Sequence, residues 1–348
     1  MNLLLEVNNL NGRMAVNVVR YNQSLSLIVN CIEAALAQDV DGYTVTLAEN
    51  GSRDSVEAAV LSFFGDNPRF KYVDNGANLG FAGAHNLFFS QADADILLAL
   101  NPDTIMTPGY LRALASAFED PRVGAATGKM VKLERLADGS HVLDGTGIVV
   151  SRWRRGRERG QHEADEKQYD ASRRVFGVSG TAAAYRKSAL DKVRIGEREY
   201  FDEDFFAYWE DLDLSWRLRL AGYECVYVPE AVIYHSRAAG QSKSGYRRPV
   251  EFIKHHRQFP VCILRWNWRN QLFCIIKNDF GWSFWRDCPL ILGRQLLMLC
   301  YIVVFEPRTL GAVPDFARLL PKMLRKRRLI MGKRVIDSKQ IGKWFVAK

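Results

Sequence analysis

Residues 95–103 read Asp-Ile-Leu-Leu-Ala-Leu-Asn-Pro-Asp, an apolar run that stops at Asn101-Pro102-Asp103. A short apolar run of this kind is typical of a strand that is buried on both faces, as in a parallel sheet. Pro102 forces an extended turn after the run, so the turn presents one carboxylate. We therefore predict a strand over residues 95–100, with Asp103 held at its carboxyl end.

The same pattern continues outward on both sides of this strand. Further strands are predicted at residues 14–20, 43–48, 70–73 and 123–127, and helices at residues 25–36, 54–64, 81–90 and 108–118. This alternation predicts an α/β fold, with a mostly parallel sheet flanked by crossover helices. Ligands bind beyond the carboxyl ends of such strands. We therefore expect one crevice to be formed by the loops at Tyr21, Glu49, Asp74 and Asn101.

Composition and charge limit the classes to which the protein can belong. Of the 348 residues, 48% are hydrophobic and 25% are charged, as in an ordinary globular catalyst or binding protein. The net charge of +9 gathers in residues 152–159 and 322–334, which favours nucleic acid, anionic lipid or phosphorylated small molecules as partners. The six scattered cysteines fit a reduced compartment, and residues 1–13 lack the pattern of a signal peptide. We therefore expect a cytoplasmic protein.

The second half of the chain has a different character. Residues 151–174 are strongly charged and poor in apolar residues, which predicts a mobile excursion from the domain. Beyond about residue 256 the sequence is helical in pattern and rich in tryptophan and arginine, and residues 282–305 are its most apolar stretch. Because that stretch contains Arg286, Asp287 and Arg294, we expect a helix that lies in a membrane interface rather than one that spans it.

Two loops after predicted strands carry groups suited to a nucleotide. Tyr21 and Asn22 can hold a nucleobase and its ribose, and Glu49 with Asn50 opens a loop where an acid can accept hydrogen bonds from a pyrimidine or ribose. A structural explanation is open for each loop: an asparagine turn in the first, and a helix cap within residues 52–54 in the second.

A third loop, residues 75–86, is rich in glycine and leads into a helix, which suits close approach of a diphosphate to the backbone. It contains Asn78 and Gly80. It matches neither Gly-x-Gly-x-x-Gly nor a P-loop, which argues against a dinucleotide dehydrogenase and a nucleoside triphosphatase. A purely structural loop is the alternative.

Asn101 and Asp103 offer oxygen atoms at the end of the buried strand. A Mg²⁺ or Mn²⁺ ion that bridges two phosphates needs only one or two protein oxygens, so Asp103 is the predicted metal ligand. His235 ends a strand predicted over residues 228–235 and is available as a second metal or phosphate ligand. The alternatives are an acid that caps a turn and a structural histidine.

Acids and aromatic residues alternate at high density in residues 201–218. Leu214 and Leu218 share a helical face, which places Glu210 and Asp211 in the first turn, facing away from the core. A carboxylate in that position can take the proton from an attacking hydroxyl.

The alternative for these acids is that they complement the helix dipole. For Asp213 we favour a structural role, an i,i+4 pair with Arg217.

In this order the motifs resemble those of the family-2 glycosyltransferases of the GT-A fold, particularly the rhamnosyltransferase-like branch that builds bacterial surface polysaccharides. The resemblance spans roughly residues 14–280. Its motifs are Val-Val-x-Tyr-Asn, Asn-x-Ser, Asn-x-Gly-Phe-Ala-x-x-x-Asn, Asn-Pro-Asp, Phe-Asp-Glu-x-Phe-Phe, Glu-Asp-x-Asp-Leu and the final His235. Arg269-Asn270 with Lys277-Asn278 further resembles the C-terminal signature of that branch.

The resemblance implies roles for individual residues. Tyr21, Glu49 and Asn78 would line the nucleotide pocket, Asp103 would bind the metal, Asp211 would be the base, Glu210 would support it, and His235 would contact phosphate or metal. It also implies an inverting single displacement, in which the metal steadies the departing nucleotide diphosphate.

Three positions depart from the family pattern. Glu49 stands where the family usually has aspartate, Arg20 replaces a small residue, and Asn101 replaces the first acid of Asp-x-Asp. The last change leaves Asp103 as the sole carboxylate of the metal motif, which predicts modest metal affinity.

From these observations we expect a nucleotide-sugar-binding catalytic domain over residues 1–245 and a helical region over residues 246–348 for acceptor, membrane-surface or self-association contacts. The expected donor is a dTDP- or UDP-sugar, with dTDP-L-rhamnose first by resemblance. The expected acceptor is a saccharide, polyprenyl-linked because the apolar residues 282–305 precede a basic tail. Such an enzyme would lie peripherally on the inner face of the cytoplasmic membrane and could form a homo-oligomer.

Three alternatives compete with this interpretation. A sugar-nucleotide pyrophosphorylase would carry a glycine-rich phosphate loop where Tyr21-Asn22 stands. A nucleic-acid binder would show a recognised binding motif, and the acids of residues 201–213 would repel phosphate, so no nucleic acid is expected. A catalytically inactive scaffold of the same fold is the third.

Overall fold

The computed structural model describes residues 13–135, 139–236 and 257–347, so the predicted domain boundary at residue 245 lies outside the described residues. The strands are β1 Met14–Arg20, β2 Tyr43–Glu49, β3 Phe70–Asp74, β4 Ile96–Leu100, β5 Thr104–Met106, β6 Val123–Arg135, β7 His141–Gly145, β8 Ile148–Ser151, β9 Gly156–Glu158, β10 Arg174–Val175, β11 Ala182–Arg186, β12 Glu224–His235 and β13 Phe345–Val346. The helices are α1 Leu25–Leu36, α2 Glu57–Phe64, α3 Gly80–Gln91, α4 Tyr110–Ser116, α5 Lys187–Val193, α6 Glu210–Leu220, α7 Val261–Asn278, α8 Gly281–Phe305, α9 Ala312–Lys333 and α10 Ser338–Gly342.

The central sheet has the strand order β10-β12-β6-β11-β4-β1-β2-β3, with β5 paired to β12 and β7 to β6. The strands β3, β2, β1 and β4 are parallel to one another, as are β6 and β12, whereas β11 runs antiparallel between β4 and β6. The crossovers α1, α2 and α3 join the parallel strands, as the alternating sequence pattern predicts. The predicted α/β fold, with a mostly parallel sheet, flanking helices and a C-terminal helical region, is confirmed.

The carboxyl ends of the parallel strands lie side by side. In the sheet register Arg20 lies beside Glu49, and Glu49 lies beside Asp74. The N–H of Asn50 donates to the carbonyl of Arg20 at 2.9 Å, and the N–H of Asn75 donates to the carbonyl of Glu49 at 2.9 Å. The loops expected to form one crevice therefore begin at the same edge of the sheet.

Two predicted helices begin later than their sequence patterns suggest. The second begins at Glu57 rather than at residue 54, because Asp54 accepts hydrogen bonds from the Arg20 guanidinium instead. The fourth begins at Tyr110, since Gly109 before it has a left-handed φ of 79°. In both cases a tertiary or backbone constraint overrides local helix propensity.

The charged residues 151–174 pack against the domain, so the prediction of an excursion is wrong. β8 and β9 pair as a hairpin, and Arg154 in its tip is only 1% exposed. Its guanidinium donates to Asp279 at 2.7 Å and to Asp287 at 2.9 Å. These charges look solvated in the sequence because their partners are more than a hundred residues away along the chain.

Apolar residues cover both faces of the sheet and continue into the C-terminal helices. One core lies between the sheet and α1, α2 and α4, and a second lies between the sheet and α3, α5 and α6. A third joins α6 to α7 and α9 around Trp216, Phe273 and Met323. The C-terminal helices therefore pack directly on the helix that begins with Glu210 and Asp211.

Most of the α8 surface is exposed and apolar. Its buried positions, Ser283, Asp287, Ile291 and Ile302, form one narrow face. By length and composition this helix could cross a membrane, and only 11% of its most apolar part is buried. Most of its apolar surface is therefore left uncovered by the described residues.

Buried ion pairs attach α7 to α6. Lys277 is completely buried and contacts Asp202 and, at 2.8 Å, Asp213. Asp213 also accepts a hydrogen bond from Arg217 at 2.9 Å, which confirms the predicted i,i+4 pair. Asn278 donates to Asp213 at 2.7 Å. Because charges at this depth must be paired and hydrogen-bonded, the network fixes α7 in one position against α6.

Replacing Lys277 with methionine should lower the free energy of unfolding by about 3–5 kcal/mol, because two buried carboxylates lose a cation. Lys322→Met is the matched control. Because that side chain is 46% exposed, this variant should lower the free energy of unfolding by no more than about 1 kcal/mol. Urea unfolding followed by circular dichroism measures both values. Equal losses for the two variants would contradict a stabilising role for the buried network.

Candidate active site

Asp103 lies in the turn between β4 and β5. The last residue of β12, His235, pairs in register with β5, and its Nε2 atom lies 3.3 Å from Asp103 Oδ2. On the other side of the imidazole, Nδ1 lies 2.7 Å from the completely buried carboxylate of Asp144. Two residues predicted from separate motifs therefore meet, with Asp144 behind them.

This arrangement fits a divalent cation. A carboxylate on Nδ1 fixes the orientation of the imidazole and directs Nε2 toward Asp103, as is usual for histidine ligands. Burial lowers the pKa of His235, but its hydrogen bonds to Asp103 and Asp144 outweigh that effect and the pKa is raised. The proton shared between His235 and Asp103 is the one that a metal ion would replace. The carboxylate oxygen of Asp103 suits Mg²⁺ or Mn²⁺, whereas an imidazole ligand is more usual for softer divalent metals.

A second acidic cluster is already neutralised by the protein. The carboxylates of Glu199, Asp202 and Asp204 lie within 4.8 Å of one another. The ammonium nitrogen of Lys326 lies 2.6 Å from Glu199, 2.5 Å from Asp202 and 2.7 Å from Asp204. A lysine thus occupies the position that a metal ion would need. The cluster attaches α9 to the sheet domain.

Glu210 and Asp211 begin α6 as predicted, but Glu210 does not face away from the core. It is buried, and its Oε2 atom has no hydrogen-bond partner among the described residues. The prediction is wrong because α6 is enclosed on nearly every side. Asp211 accepts hydrogen bonds from the N–H of Gly180 at 2.9 Å and from the N–H of Leu212 at 2.7 Å.

The backbone of residues 179–181 connects Asp211 to the turn that carries Asp103. While the N–H of Gly180 donates to Asp211, the carbonyl of Thr181 accepts from the N–H of Asn101 at 2.8 Å. Asn101 precedes Asp103 in the same short turn. The two acids therefore lie at the same edge of the sheet, on either side of one short segment.

Burial raises the pKa of both acids at the start of α6, and the charge of Asp211 raises that of Glu210 further. The Asp211 anion is stabilised by two backbone N–H groups and by the N-terminus of α6. The pKa of Glu210 is therefore raised more strongly than that of Asp211, so Glu210 is the acid of the pair that takes up a proton first. A partly buried carboxylate whose pKa is raised is well suited to accept a proton from a hydroxyl.

The chain enters α6 through a strained loop. Phe206, Tyr208 and Trp209 have φ values of 65°, 71° and 76°, a conformation that costs of order 1–3 kcal/mol per non-glycine residue. The side-chain amide of Asn270 offsets this cost by lying 2.9–3.0 Å from three carbonyl oxygens of the loop. On the opposite side, a Cβ on Gly80 would lie 2.4 Å from the Phe206 carbonyl. α3 and α7 therefore hold this loop between them.

Glu49 is engaged by its own neighbours. Its Oε1 accepts hydrogen bonds from the N–H of Ser52 at 3.0 Å and from the Ser52 hydroxyl, and its Oε2 accepts from Arg20. Arg20 is completely buried and also donates to Asp54 at 2.8 and 2.9 Å. Two departures from the family pattern thus form one ion pair. One acceptor position of Glu49 Oε2 is left for a ligand.

The other residues predicted for the nucleotide pocket are of two kinds. The asparagines form hydrogen bonds within and between the loops, and Tyr21 presents an exposed ring. Asn50 donates to Asn78 at 3.2 Å, and Asn78 accepts from the N–H of Gly80 at 2.9 Å. Asn22 joins its loop to the next by accepting from a backbone N–H at 3.0 Å. Tyr21, in contrast, is 45% exposed. The asparagines therefore shape the crevice, while the Tyr21 ring is accessible to a planar ligand.

Three residues that support this site were not among the predicted site residues: Asp144, Gly180 and Asn270. Asp144 lies in Leu-Asp-Gly-Thr-Gly, where a lone acid after a short apolar stretch is the detectable signal. Gly180 acts only through its backbone, which no side-chain motif reveals. Asn270 appears in the sequence only as part of a resemblance, since its three acceptors come from a distant loop.

Comparison with known proteins identifies related sequences and folds. The family described as "Glycosyl transferase family 2" matches residues 16–194. The N-acetylglucosaminyl-diphospho-decaprenol L-rhamnosyltransferase of Mycobacterium tuberculosis is 29% identical over 292 residues, which cover 72% of this chain and 89% of that protein.

Two solved structures share the fold. A mannosyltransferase from Pyrobaculum calidifontis, in complex with GDP-Man and Mn²⁺, has a TM-score of 0.52 at 16% identity, over 95% of this chain and 85% of that one. Residues 1–349 of TarS from S. aureus, in complex with UDP, have a TM-score of 0.52 at 14% identity, over 95% and 90% of the two chains.

Asp144→Asn should weaken Mn²⁺ binding about tenfold to a hundredfold, because a neutral amide oxygen accepts the Nδ1–H hydrogen bond of His235 more weakly than a carboxylate does. Asp41→Asn is the matched control, since that side chain is 83% exposed at the opposite end of β2. Isothermal titration with MnCl₂ measures both affinities. Unchanged binding in Asp144→Asn, with the protein folded, would remove His235 from the metal site.

Proposed function

This chain belongs to glycosyl transferase family 2 and is a glycosyltransferase, and from that premise we propose that it transfers L-rhamnose from dTDP-L-rhamnose, with inversion, to a polyprenyl-linked saccharide. The proposal depends on one observation: the Asp103–His235 pair and Asp211 lie at the same edge of the sheet. The choice of sugar is supported by the 29% identical relative, which is named as an L-rhamnosyltransferase. Cell-surface polysaccharide synthesis is the process in which such a reaction would serve.

Asp211 is the base of this proposal. The acceptor hydroxyl oxygen attacks the anomeric carbon, and its proton passes to the Asp211 carboxylate. The bond from that carbon to the diphosphate oxygen breaks, and its electron pair leaves with the nucleotide diphosphate. Because the attack comes from the face opposite the leaving group, a single displacement inverts the anomeric centre. Glu210 is buried, and its raised pKa favours the neutral form, which disfavours a second negative charge beside the attacking oxygen.

Asp103 and His235 are the proposed ligands of Mg²⁺ or Mn²⁺. When bound, such an ion would neutralise the charge that develops on the departing diphosphate. Asp144 supplies the orientation of His235 through its 2.7 Å contact with Nδ1. The Mn²⁺ of the Pyrobaculum calidifontis mannosyltransferase supports this assignment.

The nucleotide is proposed to lie across the ends of β1, β2 and β3. The exposed ring of Tyr21 can stack on a base, and the remaining acceptor position of Glu49 can receive the N3–H of a pyrimidine. Asn22, Asn50 and Asn78 shape the crevice around it. The UDP bound to TarS supports a pyrimidine nucleotide, which dTDP also is.

The C-terminal helices are proposed to form the acceptor side. An open apolar groove of about 450 Å³ lies between α7 and α8, lined mainly by Trp268, Leu272, Leu292, Leu296 and Leu299. On the same α7, Trp266 packs against Phe206 of the strained loop, with 4.7 Å between the ring centres and a tilt of 37°. A polyprenyl chain in the groove would lie on the helix that supports the base. We place the enzyme at the inner face of the cytoplasmic membrane for this reason.

The proposal is tested with a panel of dTDP-, UDP- and GDP-sugars in the presence of Mn²⁺, by measuring released nucleoside diphosphate. dTDP-L-rhamnose should give the highest rate, and Asp211→Asn should lower kcat by about a hundredfold to ten-thousandfold without changing donor affinity. Asp41→Asn again serves as control. Formation of nucleoside triphosphate and sugar 1-phosphate when inorganic pyrophosphate is added would indicate a pyrophosphorylase, and nucleotide binding without turnover of any donor would indicate a scaffold.

Arg20→Met should weaken dTDP binding about tenfold or more, because Glu49 and Asp54 lose the cation that holds their loop. Arg20→Lys keeps the charge but loses the five N–H donors of the guanidinium. Its affinity for dTDP should therefore lie between those of the wild type and Arg20→Met. Arg69→Met, whose side chain is 38% exposed near the other end of the strands, is the control. Fluorescence titration measures the affinities, and wild-type affinity in a folded Arg20→Met would exclude Arg20 from shaping the pocket.

A further inference from the structure

Three exposed tryptophans surround the point where the β8–β9 hairpin meets α8. Trp153 lies in the hairpin tip, and Trp282 with Trp285 lies in the first turns of α8, with exposures of 44%, 58% and 69%. Tryptophan is seldom left this exposed unless it contacts a partner, because its ring is large and apolar.

Buried ion pairs hold the hairpin tip and α8 together as one rigid surface. Arg152 donates to one oxygen of Asp287 at 2.7 Å, and Arg154 donates to the other at 2.9 Å. Arg154 also donates to the carbonyl of Ser283 at 3.1 Å. Trp153, between the two arginines, is therefore fixed beside the first turns of α8.

The surroundings of these rings are basic. Exposed or half-exposed cations lie in the hairpin tip (Arg152, Arg155), on α8 (Arg286) and at α10 (Lys339, Lys343). α10 is adjacent because the N–H of Trp282 donates to the Ser338 hydroxyl at 3.0 Å. The acids Asp279 and Asp287 are buried against arginines, while Asp337 at the surface caps α10. The outward face is therefore predominantly cationic.

We infer that this tryptophan–arginine patch, formed by Trp153, Trp282, Trp285, Arg152, Arg155 and Arg286, docks the enzyme on the headgroups of an anionic phospholipid bilayer. Indole rings favour the level of the headgroups, and basic residues beside them attract anionic lipid. The exposed leucines and valines farther along α8 then reach the acyl boundary. The inference rests on the proposed function, because docking on the bilayer brings the enzyme to a lipid-linked acceptor.

Charge complementarity favours a bilayer over a second copy of this chain. A two-fold dimer through this patch would place the same cations against one another, which is unfavourable. An anionic surface, in contrast, is attracted by the net positive charge of this face. Asp287 does not oppose insertion of the neighbouring apolar turns, because three arginines neutralise it inside the protein.

Cosedimentation of the full chain with vesicles tests the inference without any nucleotide. Wild-type protein should partition onto vesicles of equal phosphatidylcholine and phosphatidylglycerol, and much less onto pure phosphatidylcholine. The triple variant Trp153→Ala, Trp282→Ala, Trp285→Ala should bind about tenfold more weakly or worse. Arg155→Glu with Lys343→Glu should lose about fivefold for each residue and respond less to salt.

The matched control is Phe63→Ala, which removes a ring that is 61% exposed on α2, outside the patch. Equal partitioning of wild type onto neutral and anionic vesicles would overturn the inference. A second contrary result would be that light scattering shows the wild type as a dimer and the triple tryptophan variant as a monomer. Donor turnover, measured separately in solution, distinguishes the two failures: an active enzyme that ignores vesicles refutes the patch alone, and an inactive protein that binds them refutes the proposed function alone.

Discussion

The site depends on residues 179–181, a turn directly before β11 that hydrogen-bonds in two directions. Its Gly180 N–H holds the Asp211 carboxylate, and its Thr181 carbonyl holds the backbone at Asn101. An antiparallel strand beside β4 is required for this, since only then does the amino end of β11 lie at the carboxyl end of β4. The turn that carries Asp103 and the start of a helix more than a hundred residues away are thereby joined through two backbone hydrogen bonds.

The C-terminal helices complete this geometry from outside the sheet. The loop before α6 has three residues with positive φ, and it is stable because Asn270 satisfies its carbonyls and Lys277 neutralises the acids beneath it. Similar compensation explains why Arg20 and Glu49 occur together in this chain. Each is unusual for the family taken alone, but together they form a buried pair whose remaining donors and acceptors hold the loop at residues 52–54.

The fold could be predicted from the sequence because it is encoded locally: short apolar runs alternate with helical periodicity, and each strand ends in a recognisable turn. The positions of Asp103 and His235 follow from similarly local signals, since Asp103 lies in the turn after β4 and His235 ends β12. What the sequence pattern could not supply was the pairing of distant charges. Arg154 looked solvated until Asp279 and Asp287 were placed beside it. Glu210 looked exposed because its helix appeared amphipathic, whereas the C-terminal helices enclose it.

The direct measurement is the anomalous diffraction of a crystal grown with Mn²⁺ and dTDP. We expect one strong manganese peak between Asp103 and His235, with diphosphate oxygens on the side that faces Asp211. A peak within the Glu199, Asp202 and Asp204 cluster, with the Lys326 ammonium displaced, would contradict this arrangement. So would nucleotide bound at the strand ends with its diphosphate directed away from both Asp103 and Asp211.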